Sequence, residues 1–329
     1  MNNKFHWGVI STANIGRKAM IPALKRLEKA EVLAVASRDI GKSKSFAAEL
    51  GIPKAYGDYQ ELLNDLDVEA VYIPLPNHLH KEWTIRAAES GKHILCEKPI
   101  ALNVNECIEM IDAAKANGVV LMESFMYRYH PRVLKAVEMV QSGEIGELKT
   151  IDSGFTFYLE DKNDIRYKYK EGGGALMDLG CYCVNLSRLM AGRVPTAVQA
   201  RAIWAPTGVD LQLVAILDFG DGLFAHFDCG FNQGSRQHCL LSGTDGYFVI
   251  PEVFNPGEKK SVVQEVRGGQ TAQVHSFGGV NEYQLIAEDF MSAIAGEQPA
   301  YDINDSITNM RVIQALLESA KNDGITIFL

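Results

Sequence analysis

The sequence predicts a doubly wound, parallel α/β sheet over residues 1–125 and an α+β domain with a large, mostly antiparallel sheet over residues 126–329. Three observations lead there. Short apolar runs alternate with helical patterns as far as residue 123, the order expected of strand–helix–strand units whose strands lie parallel. From about residue 148 onward, period-two and β-branched runs follow one another with no helix between most of them, which fits antiparallel pairing. The 329 residues are enough for two domains.

Composition narrows the function classes. Hydrophobic residues make up 47% and charged residues 22%, the profile of an ordinary globular protein. No apolar run reaches the length of a membrane span, so no membrane partner is expected. The opening MNNKFHWGVIS lacks a basic segment followed by a long apolar one, and a cytoplasmic protein is expected. Net charge is −9, and the lysines and arginines are scattered, which argues against nucleic acid. Six cysteines (Cys96, Cys107, Cys181, Cys183, Cys229, Cys239) include no C-x-x-C pair and read as reduced, buried thiols. His78-Leu79-His80 has no supporting cluster of acids or cysteines, so no metal is expected.

Phe5–Ile10 is a short apolar strand, and a helical pattern runs from Ile15 to about Glu28, with Pro22 delaying or kinking its regular part. A dinucleotide fingerprint belongs at this strand–turn–helix junction. Aligned to G-x-G-x-x-G, the chain offers Ser11, Ala13 and Gly16. Small side chains there let a pyrophosphate approach the backbone and the helix N-terminus. A plain strand–helix turn is the other reading. Glu31–Ser37 forms the second strand. Where an acid usually holds the ribose hydroxyls, the chain has Ser37 and Arg38, with Lys42 nearby. An arginine and a hydroxyl suit a 2′-phosphate, so NADP is expected ahead of NAD, which stays possible. Arg38 as a solvated loop charge is the bland alternative, and Asp39, if turned inward, opposes the NADP reading.

Helical patterns cover 41–50 and 58–64. The buried strand Ala70–Pro74 ends in Leu75-Pro76-Asn77-His78-Leu79-His80. Asn77 either faces a ligand or caps the helix that runs to Ser90. His93–Cys96 is the next strand, and Glu97-Lys98-Pro99 forces a turn at its carboxyl end, where ligands sit in parallel sheets. Lys98 is therefore either a catalytic or phosphate-contacting group or half of a solvated ion pair. A helix at 103–117 and a strand at 119–123 complete the alternation.

Ser124–Pro131 is an aromatic and basic crossover into a helix at 132–142. Strands are expected near 148–158, 196–204, 209–218, 222–231, 236–242, 246–250 and 261–267, and helices at 175–191, 282–295 and 305–322. One helix stands out. Gly172-Gly173-Gly174 precede a segment that sets Asp178 and Tyr182 four residues apart, on one helix face. That pair reads as a proton-handling couple or as an ordinary surface contact.

These motifs together resemble the glucose–fructose oxidoreductase / inositol dehydrogenase (Gfo/Idh/MocA) family. The resemblance rests on GVISTANIG at 8–16, ASRD at 36–39, PLPNHLH at 74–80, GKHILCEKP at 91–99, ESFMYRYHP at 123–131 and GGGALMDLGCYCVN at 172–185. It implies an N-terminal Rossmann domain, a C-terminal domain whose open sheet often makes an oligomer contact (homodimer or homotetramer), and an active site between the domains. It implies catalysis by Lys98, with Asp178 as the acid of the second block. Inositol dehydrogenase-type members carry histidine where this chain has Tyr182. That departure resembles the dihydrodiol dehydrogenase and NADP-dependent xylose dehydrogenase branch and shifts the acid/base role to the phenol.

The residues expected at the cofactor are Ser11, Thr12, Ala13, Asn14, Ile15, Ser37, Arg38, Lys42, Pro74, Leu75, Asn77, His80, Glu97, Lys98 and Met126. Arg128, Tyr158, Arg166 and Tyr169 are candidates for contacting a polyol or sugar substrate. The expected chemistry is NADP(H)-linked hydride transfer at a secondary alcohol or hemiacetal carbon of a sugar or cyclic diol. A keto-sugar reductase and a nucleotide-sensing regulator are the alternatives.

Overall fold

A computed structural model describes residues 4–329. The chain divides into two compact units, residues 1–126 with 281–307 and residues 127–280 with 308–329.

Among its described residues, the first unit holds six parallel strands: β1 (Phe5–Ile10), β2 (Ala30–Ala36), β3 (Lys54–Tyr56), β4 (Ala70–Ile73), β5 (His93–Cys96) and β6 (Leu121–Glu123). Their order across the sheet is β3-β2-β1-β4-β5-β6. The order reverses between β1 and β4, and the carboxyl ends beside that switch point are where doubly wound sheets bind ligands. β1 and β4 end in fully buried residues, as strands covered on both faces must. β3 was not foreseen. It is three half-buried residues long and carries no periodic signal.

Three of the connecting helices start on side-chain caps. Asp39 caps Ile40–Leu50, Asp58 caps Tyr59–Leu63 and Asn103 caps Val104–Ala116. Asn77 does not cap the helix His80–Glu89; a short 3-10 turn, Asn77–Leu79, leads into it with no side-chain cap. The first helix begins as a π turn, Gly16–Met20, and continues as Ile21–Lys25 with Pro22 in its first turn. Regular α geometry thus starts where proline, lacking an N–H, is tolerated.

Residues 281–307, expected to belong to the second domain, pack on the first unit instead. Helix Glu282–Ile294 lies against the first helix, and Phe290 sets its ring 5.0 Å from that of Trp7 on β1. Both rings are fully buried, which is why a segment so distant in sequence returns.

The second unit is built on nine strands: β7 (Leu148–Tyr158), β8 (Ala197–Trp204), β9 (Asp210–Asp218), β10 (Phe224–Gly230), β11 (Asn232–Gly243), β12 (Tyr247–Pro251), β13 (Ser261–Arg267), β14 (Gln270–Phe277) and β15 (Ile327–Phe328). Among the described residues the order is β14-β13-β12-β11-β7-β10-β9-β8-β15, antiparallel except for the β7–β10 pair. β14 and β15 are edge strands absent from the sequence expectation; β14 is almost wholly exposed, so it shows no apolar alternation. The helix Cys181–Ala191 packs on β7 and β10.

Candidate active site

In the first unit, the turn after β1 adopts a conformation that explains its composition. Ser11 has φ of +146°, a region that glycine fills freely and other residues enter at a cost of about 1–3 kcal/mol. Its hydroxyl donates to the Pro74 carbonyl at 3.1 Å and accepts from the Ala13 N–H at 3.1 Å. Serine thus replaces the first glycine of the fingerprint and joins the carboxyl ends of β1 and β4 across the switch point. A Cβ on Gly16 would lie 3.8 Å from Val9, Tyr72 and Pro74, so this third small position sits against the sheet with room for no more than a small side chain. Asn14 and Ile15 are exposed at the start of the helix, with Thr12 and Ala13 half-buried beside them.

At the end of β2, the Asp39 carboxylate is spent on the helix start, accepting from Gly41 N–H at 2.8 Å and Lys42 N–H at 3.2 Å. Arg38 is exposed and hydrogen-bonds the hydroxyl of Tyr59, a largely buried side chain. Ser37 is buried, and Lys42 is exposed on the first turn of the helix. The rim therefore presents a guanidinium, and its nearest acid is turned onto backbone N–H groups.

The turn after β5 is fixed from four sides. Glu97 is buried; Tyr72 donates to its Oε1 at 2.6 Å and the Lys98 N–H to its Oε2 at 3.2 Å, while the Ser124 N–H donates to the Cys96 carbonyl at 2.8 Å. Burial raises the Glu97 pKa above the usual carboxylate value, against the opposing pull of the Lys98 charge and the Tyr72 bond. The Lys98–Pro99 peptide is cis. Ile100 N–H donates to Glu123 Oε1 at 2.9 Å. His80 is fully buried, with Nδ1 2.9 Å from the Pro99 carbonyl and Nε2 2.8 Å from the Leu75 carbonyl. Burial pushes the ring's pKa down to about 4 despite those two carbonyls.

His80 and Glu97 were expected at the cofactor. Their buried, engaged side chains instead hold the loops after β4 and β5, while Lys98 itself is half-buried. Pro74 and Leu75 are buried, Asn77 is half-buried, and Met126 is buried. Sequence reasoning missed the supports Tyr72, Glu123 and Ser124. Tyr72 did carry a signal: a phenol inside the aliphatic strand AVYI needs a partner for its hydroxyl.

In the second unit, Asp178 and Tyr182 lie on one continuous helical run. It opens with a second π turn, Leu176–Gly180, a feature often found at functional sites. Gly180 allows the close approach to the sheet, because a Cβ there would lie 3.0 Å from Cys229 Sγ and 2.6 Å from Leu176 Cδ1. Tyr182 is buried, its ring packed among Tyr127, Phe155 and Phe254 at centroid distances of 5.8, 5.6 and 5.4 Å. Arg166 donates from Nε to Asp178 Oδ2 at 2.6 Å and pairs with Asp164 at 3.3 Å. The Asp178 charge raises the pKa of the Arg166 guanidinium further. Arg166, expected at the substrate, is thus the ion-pair partner of Asp178. Tyr158 and Tyr169 are 65% and 59% exposed, and Arg128 is half-buried.

Gly173 and Gly174 are close-approach positions, and Gly172 is a left-handed turn position. A Cβ on Gly173 would fall 2.4 Å from the Arg166 carbonyl oxygen, and Gly172 and Gly174 have φ of +80° and +122°. All six cysteines are buried thiols, and burial raises the thiol pKa of Cys96, Cys183, Cys229 and Cys239. No described helix is long and apolar enough to cross a membrane.

A 3-2-1-4-5-6 parallel sheet with a small-residue turn at its switch point defines a dinucleotide-binding protein. With a lysine held at the carboxyl end of β5, the class is an NAD(P)-dependent oxidoreductase. Residues 5–125 match the oxidoreductase family with an NAD-binding Rossmann fold, and residues 133–249 match the GFO/IDH/MocA C-terminal domain. The chain belongs to the Gfo/Idh/MocA family. It is 37% identical to a D-xylose 1-dehydrogenase (NADP(+)) from Haloferax volcanii, over 96% of this chain and 97% of that protein. It is 33% identical to trans-1,2-dihydrobenzene-1,2-diol dehydrogenase from Mus musculus, over 97% of each. KijD10, a 3-ketoreductase from Actinomadura kijaniata solved with NADP and TDP-benzene, superposes with a TM-score of 0.89 at 29% identity, over 96% of this chain and 98% of that one.

Proposed function

We propose that this oxidoreductase moves hydride between NADP(H) and a secondary alcohol or hemiacetal carbon of a sugar or cyclic diol. The observation that carries the cofactor choice is the rim after β2: Asp39 is consumed as a helix cap and Arg38 is presented on Tyr59. An acid free to bind the ribose hydroxyls selects NAD; an arginine accommodates a 2′-phosphate. Ser11–Ile15 and the exposed start of the first helix would receive the pyrophosphate. The xylose and dihydrodiol dehydrogenases among the relatives support a polyol-like substrate, and the 3-ketoreductase supports the same residues working in the reducing direction.

The bound nicotinamide supplies the hydride acceptor or donor. In the oxidising direction Tyr182 takes the hydroxyl proton. A free phenol has a pKa of about 10, and a positive charge beside it would favour the phenolate. Asp178 would oppose a phenolate through its own charge, but Arg166 already neutralises it. Asp178 is thereby left to hold a substrate hydroxyl.

The test is NADPH absorbance with D-xylose, D-glucose and a cyclic trans-diol, run in parallel with NADH. Turnover with at least one of these and NADP(H) is expected, and none with any would overturn the reading. Arg38→Ala should raise KM for NADPH by roughly tenfold or more and leave NADH nearly unchanged; equal losses would remove Arg38 from the 2′-phosphate. We further propose a homodimer or homotetramer formed on the open sheet. Ile203, Val214, Ile216 and Phe224 share one face there, 45–55% exposed. Sedimentation at a monomer's rate would exclude this assembly.

A further inference from the structure

We infer that Asp210, the first residue of β9, is a positioning residue that fixes the helix carrying Asp178 and Tyr182. The inference rests on the roles proposed above for those two side chains. The helical run starts at residue 175 without a cap from its own neighbouring side chains. Its cap comes from the sheet. Asp210 Oδ2 accepts from the Leu176 N–H at 2.6 Å, and the carboxylate also bonds the Ala175 N–H. The side chain is only 2% exposed, so water cannot take over these bonds.

The glycine before the helix makes the contact possible. Gly174 has φ of +122°, and a Cβ on it would fall 2.2 Å from Asp210 Oδ1. Any side chain at 174 would drive the carboxylate off the helix start. Gly173 brings the Arg166 carbonyl equally close, and the Gly174 N–H donates to that carbonyl at 3.0 Å. One knot of backbone therefore sets both the start of the helix and the position of Arg166, which pairs with Asp178. Asp178 lies two residues past the capped Leu176, inside the π turn, and Tyr182 follows it. A rotation or slide of this first turn displaces both polar groups.

A carboxylate at a helix N-terminus is favoured by the exposed N–H groups and the helix dipole. Burial opposes it and raises the Asp210 pKa to about 7. Lys321 lowers that value, and Cys229 is the neighbouring thiol on β10. A buried carboxyl would be expensive if it only filled space; here its oxygens are committed to the helix.

The test is a kinetic cycle on the intact chain, using the best substrate of the sugar and diol panel. Asp210→Asn keeps an acceptor oxygen for the Leu176 N–H and should hold kcat within about threefold. Asp210→Ala should lower kcat by roughly 10- to 100-fold, with the NADPH dissociation constant within about threefold of the parent. The double variant Asp210→Ala, Tyr182→Phe should lose clearly less than the product of the two single losses, because the first change acts in part through the second residue. Gly174→Ala, which displaces Asp210 without removing it, should copy the kcat loss and covers the case in which Asp210→Ala fails to fold. Parent-like kcat in both the Asp210→Ala and Gly174→Ala chains would overturn the inference, as would additive losses in the double variant. A parent-like Tyr182→Phe chain would instead overturn the proposed role of the phenol, so the two failures are distinguishable.

Discussion

Replacing Lys98 with methionine is expected to cut turnover by roughly a thousandfold while NADPH binding stays within about threefold of the parent chain. That factor corresponds to about 4 kcal/mol of transition-state stabilisation. Methionine keeps the length of the stem and removes the ammonium. The turn that carries residue 98 has supports that do not involve that side chain: Glu97 through Tyr72, the Pro99 carbonyl on His80, and the Ile100 N–H on Glu123. The loss is therefore chemical, with the scaffold intact. Steady-state kinetics and a fluorescence titration with NADPH check it. Parent-like turnover removes Lys98 from the mechanism, and a parallel collapse of NADPH binding reassigns it to the cofactor.

Tyr182→Phe should lose roughly 10²- to 10⁴-fold in turnover, the range of a proton-transfer group. The ring stays packed among Tyr127, Phe155 and Phe254, so the melting temperature should move by no more than a few degrees. The pH profile adds a second readout. If the phenol is the base, kcat of the parent rises with pH as the phenol ionises, and that limb disappears in the phenylalanine variant. A profile that keeps the limb after the substitution would pass the role to another group.

The parallel sheet of the first unit was legible because buried strands advertise themselves as short apolar runs alternating with helical patterns. What stayed hidden had no local pattern. β14 is solvated along nearly its whole length, so its residues are polar and only pairing with β13 makes them a strand. His80 looked like a ligand-facing residue, because a sequence shows that a histidine follows a strand but not that two carbonyls enclose it. The glycines at 172–174 pointed to a special backbone, yet what they make room for, the Arg166 carbonyl and the Asp210 carboxylate, comes from distant segments. Ser11 is the converse: the fingerprint position was recognisable, and the hydroxyl that stabilises its positive φ could not be read from the alignment to glycine.

The return of residues 281–307 to the first unit has a consequence for biosynthesis. On the ribosome, Trp7 emerges long before Phe290, the ring that covers it, which follows only after residues 127–280 have been made. The nascent nucleotide-binding half must wait, partly uncovered, until translation passes Ile307, so the second unit has most of its sequence available before the first can close.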